Sequence, residues 1–323
     1  MLLQHKASHF DSPVFIGLDM SRFDKHVQVP HLVLEASVYL EMNDDPEFRS
    51  LLQMQRSNKG FSRTGVRYKV KGRRMSGDMN TAIGNVVIML LMIVAFCRLK
   101  MRLARWDCLD DGDDALLIVE ERDLEAIIAM LEETFLSFGM VAKMDAPVKS
   151  IHNVVFCQSQ VVEFSPNRFK FVRDYRAVIS KALCGVRHWE NESYRRSVIR
   201  AIGTCELALS LGIPVLQEYA VALLRNAGGT GDVERAPGHL AYRARAESRT
   251  LGVPLEHIKP ARIESCARHS FADAFGLSPD DQVALERKLA SWTFEIGGLH
   301  ARPLDLHVPG WDYSPTTEER YPL

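Results

Sequence analysis

The stretch CLDDGDDALLIVE, Cys108–Glu120, sets four aspartates at positions 110, 111, 113 and 114 and runs straight into the apolar run Ala115–Val119. Carboxylates that close repel one another, and holding them ionised beside a buried strand costs several kcal/mol unless a cation neutralises them. Asp-Gly between apolar flanks is also a hairpin signal, so on its own the stretch reads equally well as a solvated acidic turn. Two further clusters bear on the choice. GLDMSRFDKH ends an apolar run with Asp19 and sets Asp24 five residues on, and SGDMNTAIGN (Ser76–Asn85) enters an apolar helix with Thr81 and Asn85 four apart on one face. One aspartate from a first strand and a pair from a hairpin can converge on two divalent cations about 4 Å apart. Such a pair stabilises both the attacking and the leaving oxygen of an in-line phosphoryl transfer.

These residues need a scaffold, and the composition supplies one. With 323 residues, 46% hydrophobic and 25% charged, the chain reads as a soluble globular protein of two domains with a sizeable core. A net charge of −1 gives no global attraction to a polyanion, so affinity for nucleic acid has to come from local patches. The six cysteines include no CxxC pair, which argues against a zinc module or a disulfide framework and fits a reducing compartment. The longest apolar run, Val86–Cys97, has twelve residues. A membrane-spanning helix needs about 20, so the run predicts a buried helix and no transmembrane segment. The N-terminus has no signal-peptide pattern.

Pro13–Ser21 predicts a buried strand, and His26–Asn43 carries helical spacing. Arg56–Arg74 holds eight Lys or Arg and no acid, which suits a hairpin or loop lying against phosphates, or a solvated charged loop. In Arg122–Gly139, Leu124, Ile127, Ile128, Leu131, Phe135 and Phe138 form an amphipathic stripe that Gly139 ends. Val154–Phe164 and Arg168–Tyr175 read as strands, and from about Ser165 the patterns are helical.

In this order and spacing the clusters resemble the palm of viral RNA-dependent RNA polymerases. GLDMSRFD, RRMSGDMNTAIGN, GDD and FCQS are most similar to those of the tombusvirus family and its relatives, over about Pro13–Arg173. A lone GDD occurs in ordinary turns; the ordered series DxxxxD, SGxxxTxxxN, GDD is specific. The resemblance implies an α+β fold, a palm of antiparallel sheet backed by helices over residues 1–164 and a mainly helical thumb over 165–323. It implies an RNA-directed RNA polymerase of a positive-strand RNA virus, copying an RNA template from ribonucleoside triphosphates with two Mg2+ ions, Mn2+ being a substitute. Asp19 and Asp113 become the principal metal ligands, with Asp114 in support. Asp24 and Asn85 become the readers of the ribose, where a carboxylate accepts from the 2′-OH and an amide donates to it. Ser76, Gly77 and Thr81 would hold the template and the incoming base pair, and Lys143 would protonate the leaving pyrophosphate. Arg73 and Arg74 would contact RNA, and Phe156, Cys157, Gln158 and Ser159 would grip the 3′ end of the product strand.

The chain departs from the family in having acids at Asp110 and Asp111, for which the resemblance offers no role. Only 18 residues precede Asp19, whereas the family's fingers lie upstream of that motif. The expected partners therefore include an upstream fingers segment or another replicase protein, beside the RNA template and product duplex. The region Arg235–Ser270, seven Lys or Arg against three acids, is either a phosphate contact or an exposed mixed-charge face. Two other readings stay open: a catalytically incomplete RNA-binding fragment of a replicase, and another two-metal palm polymerase such as a reverse transcriptase. The second is disfavoured by Asp24 and Asn85, since enzymes that select deoxyribose block the 2′-OH with bulk. The resemblance places the protein in the host cytoplasm, at membrane-bound replication complexes.

Overall fold

A short helix α1 (Leu2–Ala7) precedes the strand on which the rest is built, β1 (Pro13–Met20). The period of two along a strand sends Val14, Ile16, Leu18 and Met20 into the core and turns Asp19 to the other face. This computed structural model describes residues 2–183, 192–228 and 238–293. They divide into two units, Met1–Cys157 and Gln158–Leu323.

In the first unit β1 leads through a single helical turn, α2 (Phe23–His26), into α3 (Val29–Met42) and α4 (Pro46–Met54). Helix α3 starts where Gln28 and His31 cap each other reciprocally, and α4 starts at Asp45, whose side chain accepts from the amides of Glu47 and Phe48 at 2.8 and 3.1 Å. The basic segment folds as an antiparallel hairpin, β2 (Ser57–Phe61) with β3 (Arg67–Lys71). Helix α5 (Thr81–Val94) follows and continues without a break as π-helix to Lys100. The GDD motif is the turn between β4 (Trp106–Asp110) and β5 (Asp114–Glu120). The amphipathic helix α6 (Leu124–Ser137), the short strand β6 (Ala142–Met144) and the two-residue strand β7 (Val155–Phe156) complete the unit.

The sheet order is β4-β5-β1-β6, every neighbouring pair antiparallel. Helices α5 and α6 cover one face: Ile88, Met89, Met92, Ile93, Phe96 and Cys97 from the first and Ile127, Leu131 and Phe135 from the second join the β1 and β5 side chains in one core. This is the expected α+β arrangement of antiparallel sheet backed by helices. Ile128, expected on the buried stripe of α6, is 41% exposed. The apolar run read as twelve residues belongs to a continuous helix of 20, Thr81–Lys100, with mean hydropathy 2.3. It is the one helix among the described residues long and apolar enough to cross a membrane, and its Ile88–Cys97 face is spent on the core.

The second unit opens with the hairpin of β8 (Ser159–Ser165) and β9 (Arg168–Arg173). Helices α7 (Tyr175–Lys181), α8 (Glu192–Ser210), α9 (Leu216–Asn226), α10 (Gly238–Leu251), α11 (Ser265–Phe275) and α12 (Pro279–Ser291) follow. Val162 and Val172 of the hairpin share a core with Tyr175, Tyr219, Phe271 and Phe275. The hairpin therefore goes with the helices, and the division falls ahead of it rather than at residue 165. Two of the unit's cations are committed internally: Arg268 grips Glu286 through two bonds of 3.1 and 2.9 Å, and Lys170, pushed down to about 8 by burial, donates to the Leu209 and Leu211 carbonyls. Arg235, at the head of the expected phosphate-contacting region, and residues 294–323 of the expected thumb lie outside the described residues.

The packing of α5 carries a direct test. Met89 is fully buried and its neighbour Leu90 is 41% exposed. Met89→Ala should cost about 2–5 kcal/mol in urea unfolding and Leu90→Ala less than about 1 kcal/mol; equal costs would mean that α5 does not face the sheet this way.

Candidate active site

The register of the central strands puts three charged side chains in a row. Lys143 on β6, Asp19 on β1 and Asp114 on β5 are successive cross-strand partners, so their side chains share the face of the sheet opposite to the core. Asp113 sits in the turn just before β5, and its carbonyl accepts the Met20 amide at 2.9 Å, which hooks the turn onto the end of β1. The turn closes through Asp111 N–H to the Asp114 carbonyl at 2.9 Å, with Gly112 in the left-handed region at φ 89°. A further carboxylate, Asp145, lies over Gly17, where an added Cβ would come within 2.5 Å of its Oδ2. Burial raises the pKa of Asp114, and the charges of Asp113, Asp19, Asp111 and Asp145 raise it further.

Such crowding suits a hard divalent cation. Among the described residues no three or more His, Cys, Asp or Glu side chains are gathered closely enough to hold a metal by themselves. An open row of carboxylates nevertheless fits an ion such as Mg2+, which takes one or two carboxylates and completes its shell with water and substrate phosphates rather than with a protein cage.

Beside the row a chain of hydrogen bonds runs inward from the surface. Ser76 Oγ donates to Asp24 Oδ2, and Asn85 Nδ2 donates to Asp24 Oδ1 at 2.9 Å. Arg74 Nε donates to Asn85 Oδ1 at 3.1 Å, and Arg74 Nη2 to Glu35 Oε2 at 2.5 Å. Glu35 Oε1 accepts from Tyr39 at 2.9 Å and from Asn80 at 2.8 Å. Burial and the Glu35 charge both push the Tyr39 hydroxyl far up, so it stays protonated and donates. Arg74 has only donors, so its bond fixes which end of the Asn85 amide is oxygen and aims the NH2 at Asp24. The pair is sealed by Gly84, where a Cβ would fall 2.2 Å from Glu35 Oε1 and 2.4 Å from Arg74 Nη2.

This corrects the assignment of Arg74 to RNA contact: its side chain is wholly buried against Glu35. Arg73 is half-buried, with its Nη1 on the Val27 carbonyl at 3.3 Å. Gly77, exposed at φ 103°, supplies a backbone shape that residues with a Cβ rarely adopt. Thr81 Oγ1 bonds the Asp78 carbonyl at 2.8 Å and so fastens the loop to the start of α5. Asp24, Thr81, Asn85, Asp111 and Asp113 line one open cleft of ≈ 630 Å³, whose cations are Arg22 and Lys25.

The Phe156–Ser159 turn carries two successive left-handed residues, Cys157 (φ 49°) and Gln158 (φ 56°). Cys157 Sγ donates to Asp111 Oδ2 at 3.4 Å, and burial together with that carboxylate pushes the thiol up to about 12. Ser159 is buried on β8, so its assignment to RNA contact is also corrected; Phe156 is half-buried and Gln158 exposed. Reasoning from sequence missed Glu35 and Asp145. Glu35 stands on the buried stripe Leu32–Ala36–Tyr39 of α3, and an acid there demands a buried partner. Asp145 left no signal beyond its two-residue spacing from Lys143.

The chain matches the family model for viral RNA-dependent RNA polymerase over residues 1–297. It is 34% identical over 290 residues to the RNA-directed RNA polymerase of Carnation mottle virus, covering 88% of this chain and 37% of that protein. The corresponding protein of Groundnut rosette virus (strain MC1) is 37% identical over 290 residues, 88% of this chain and 33% of the relative. That of Tomato bushy stunt virus (strain Cherry) is 33% identical over 317 residues, 95% and 36%. The chain thus spans about a third of the length of the curated relatives it matches.

Asp110, at the foot of the turn, accepts the Gly112 amide through Oδ1 at 2.8 Å, while its Oδ2 is buried without a partner. Burial pushes its carboxyl up to about 7 from 3.8. The folded state then holds a proton that the unfolded chain has released, so the contribution of Asp110 to stability falls as pH rises from about 4 to about 7 and is level above that. Asp110→Asn should flatten this part of the profile and gain roughly 1–2 kcal/mol at pH 8 relative to the parent. Urea unfolding between pH 4 and 8 in chelator checks it; parallel profiles for the two proteins would refute the burial of Asp110.

Proposed function

Because the chain belongs to the family of viral RNA-dependent RNA polymerases, we propose that it carries the nucleotidyl-transfer centre of a positive-strand RNA virus polymerase, copying RNA from ribonucleoside triphosphates. The observation that carries this reading is the alignment of Lys143, Asp19 and Asp114 across three strands, with Asp113 hooked to β1 beside them. Asp19 and Asp113, with Asp114 in support, would hold two Mg2+ ions, which would supply activation of the 3′-OH of the growing strand and neutralisation of the charge on the leaving pyrophosphate. Lys143, exposed next to Asp19, reaches the leaving group and supplies its proton. Asp24 accepts from the ribose 2′-OH, and the second N–H of the Asn85 amide donates to it. Ser76, Gly77 and Thr81 shape the loop against the template base pair.

The first unit corresponds in this reading to the palm and the second to the thumb. Beside the RNA template and product duplex, a further partner is an upstream fingers segment, covalent or in trans, supported by the share of the relatives' length that the chain covers. The site of action is the host cytoplasm, at membrane-bound replication complexes.

Asp113→Asn, nearly isosteric but uncharged, should lower templated extension by at least tenfold in the presence of a fingers segment while far-UV and near-UV circular dichroism stay unchanged. Extension within tenfold of the parent would overturn the metal assignment. RNA binding without any synthesis, in every combination, would favour the catalytically incomplete fragment instead.

Sugar choice is a second test. Asn85→Ala should reduce kcat/KM for a ribonucleotide more than for the matching deoxyribonucleotide, by about 1–3 kcal/mol of lost discrimination. Equal losses for the two sugars would make Asn85 a structural residue of α5.

A further inference from the structure

The hairpin of β2 and β3 divides its residues strictly by face. The pairs Ser57 with Lys71, Lys59 with Lys69, and Phe61 with Arg67 point one way; Asn58 with Val70 and Gly60 with Tyr68 point the other. The second face is partly occupied by its own contacts, with Tyr68 still 50% exposed. The Tyr68 ring lies where a Cβ on Gly60 would stand, 2.1 Å from its Cζ, and Asn58 Nδ2 donates to the Gln55 and Gly72 carbonyls at 2.9 and 3.2 Å.

The first face is bare. Lys59, Arg67, Lys69 and Lys71 are exposed and make no ion pair within the described residues, and Phe61 among them is 85% exposed. Like charges directly opposite on a ribbon are destabilising, so Lys59 facing Lys69 weakens the hairpin until an anion lies between them. We propose that this face is a binding site for single-stranded RNA, separate from the carboxylate row, with Lys59, Arg67, Lys69 and Lys71 on phosphates and Phe61 stacked on a base.

The strand is single because stacking needs an unpaired base, and the deep, narrow major groove of A-form RNA does not admit side chains. An anionic membrane is the weaker occupant: interfacial binding rests on a continuous apolar face, whereas this face offers a single ring, Phe61, with Val66 at the hairpin tip and Tyr68 turned to the opposite face. The site goes beyond the proposed reaction and does not depend on it.

The test is fluorescence anisotropy on the full 323-residue chain with a labelled single-stranded RNA, the same sequence as duplex, and vesicles of phosphatidylserine and phosphatidylcholine as competitor. Single strands should bind tighter than duplex, and vesicles should not displace them. Lys59→Gln with Lys69→Gln should lower the slope of log K against log salt by about 1.4, at about 0.7 per phosphate contact. Phe61→Ala should weaken binding ~5-fold or more, and Phe61→Trp should restore it with indole fluorescence quenched by RNA. The readout is equilibrium binding with no nucleotide and no divalent metal present, which keeps this result distinct from any failure of the polymerase reading. An unchanged salt slope, an unquenched tryptophan, equal affinity for duplex, or displacement by vesicles would overturn the proposal.

Discussion

The buried ion pair of Arg74 and Glu35 is the interaction on which the Asp24 and Asn85 side of the cleft depends. Taking two charges out of water costs several kcal/mol for each, and the cost is recovered only where the remaining hydrogen-bonding capacity is filled. Here Glu35 receives three donors, from Arg74, Tyr39 and Asn80, while Arg74 also serves Asn85 and keeps one nitrogen, Nη1, buried without a partner, so the compensation is large but not complete. The Arg74 amide donates to the Asp24 carbonyl at 3.0 Å as well. One residue therefore joins α3, α2 and α5, and the polar chain that reaches the cleft at Asp24 and Ser76 is anchored at its inner end in a place water does not enter.

The carboxylate row solves the opposite problem. Asp19 and Asp113 are exposed and, among the described residues, form no ion pair, Lys143 being only a cross-strand neighbour of Asp19, so their mutual repulsion is left to solvent and to whatever ions arrive. A permanent partner for those acids would close the face to phosphate. The two groups of residues thus use charge in contrary ways: compensated within the fold where an amide is aimed, and left uncompensated where, in the proposed function, a metal and a triphosphate would come and go.

Much of this was legible in the amino-acid order because it is written in short spacings. Asp19 ends an alternating strand, Asn85 lies one helical turn beyond Thr81, and Gly112 marks a turn; each is a local rule that tertiary structure did not override. What escaped depends on long-range packing. Arg74 looks like its basic neighbours in sequence, and only the approach of α3, 39 positions upstream, turns it inward. The continuous helix outruns the strictly apolar run at both ends, through Thr81–Asn85 before it and Arg98–Lys100 after it, where polar residues hide the continuation. Ser159 falls in the FCQS motif that the resemblance assigns to the product strand, and it is buried as the first residue of β8. Asp145 joins the acidic face only through the register of β6 against β1 and the bare backbone of Gly17.

Gly112 lies against α5 so closely that a Cβ there would stand 3.1 Å from the Cβ of Asn85. The turn that bears Asp113 and the helix that bears the sugar-side amide are therefore held apart by the width of a hydrogen atom. Anything larger at position 112 has to act as a shim between the turn and the helix. In the proposed reading, the spacing of the metal side from the sugar side of the cleft is a matter of machining tolerance, eased by an absent side chain.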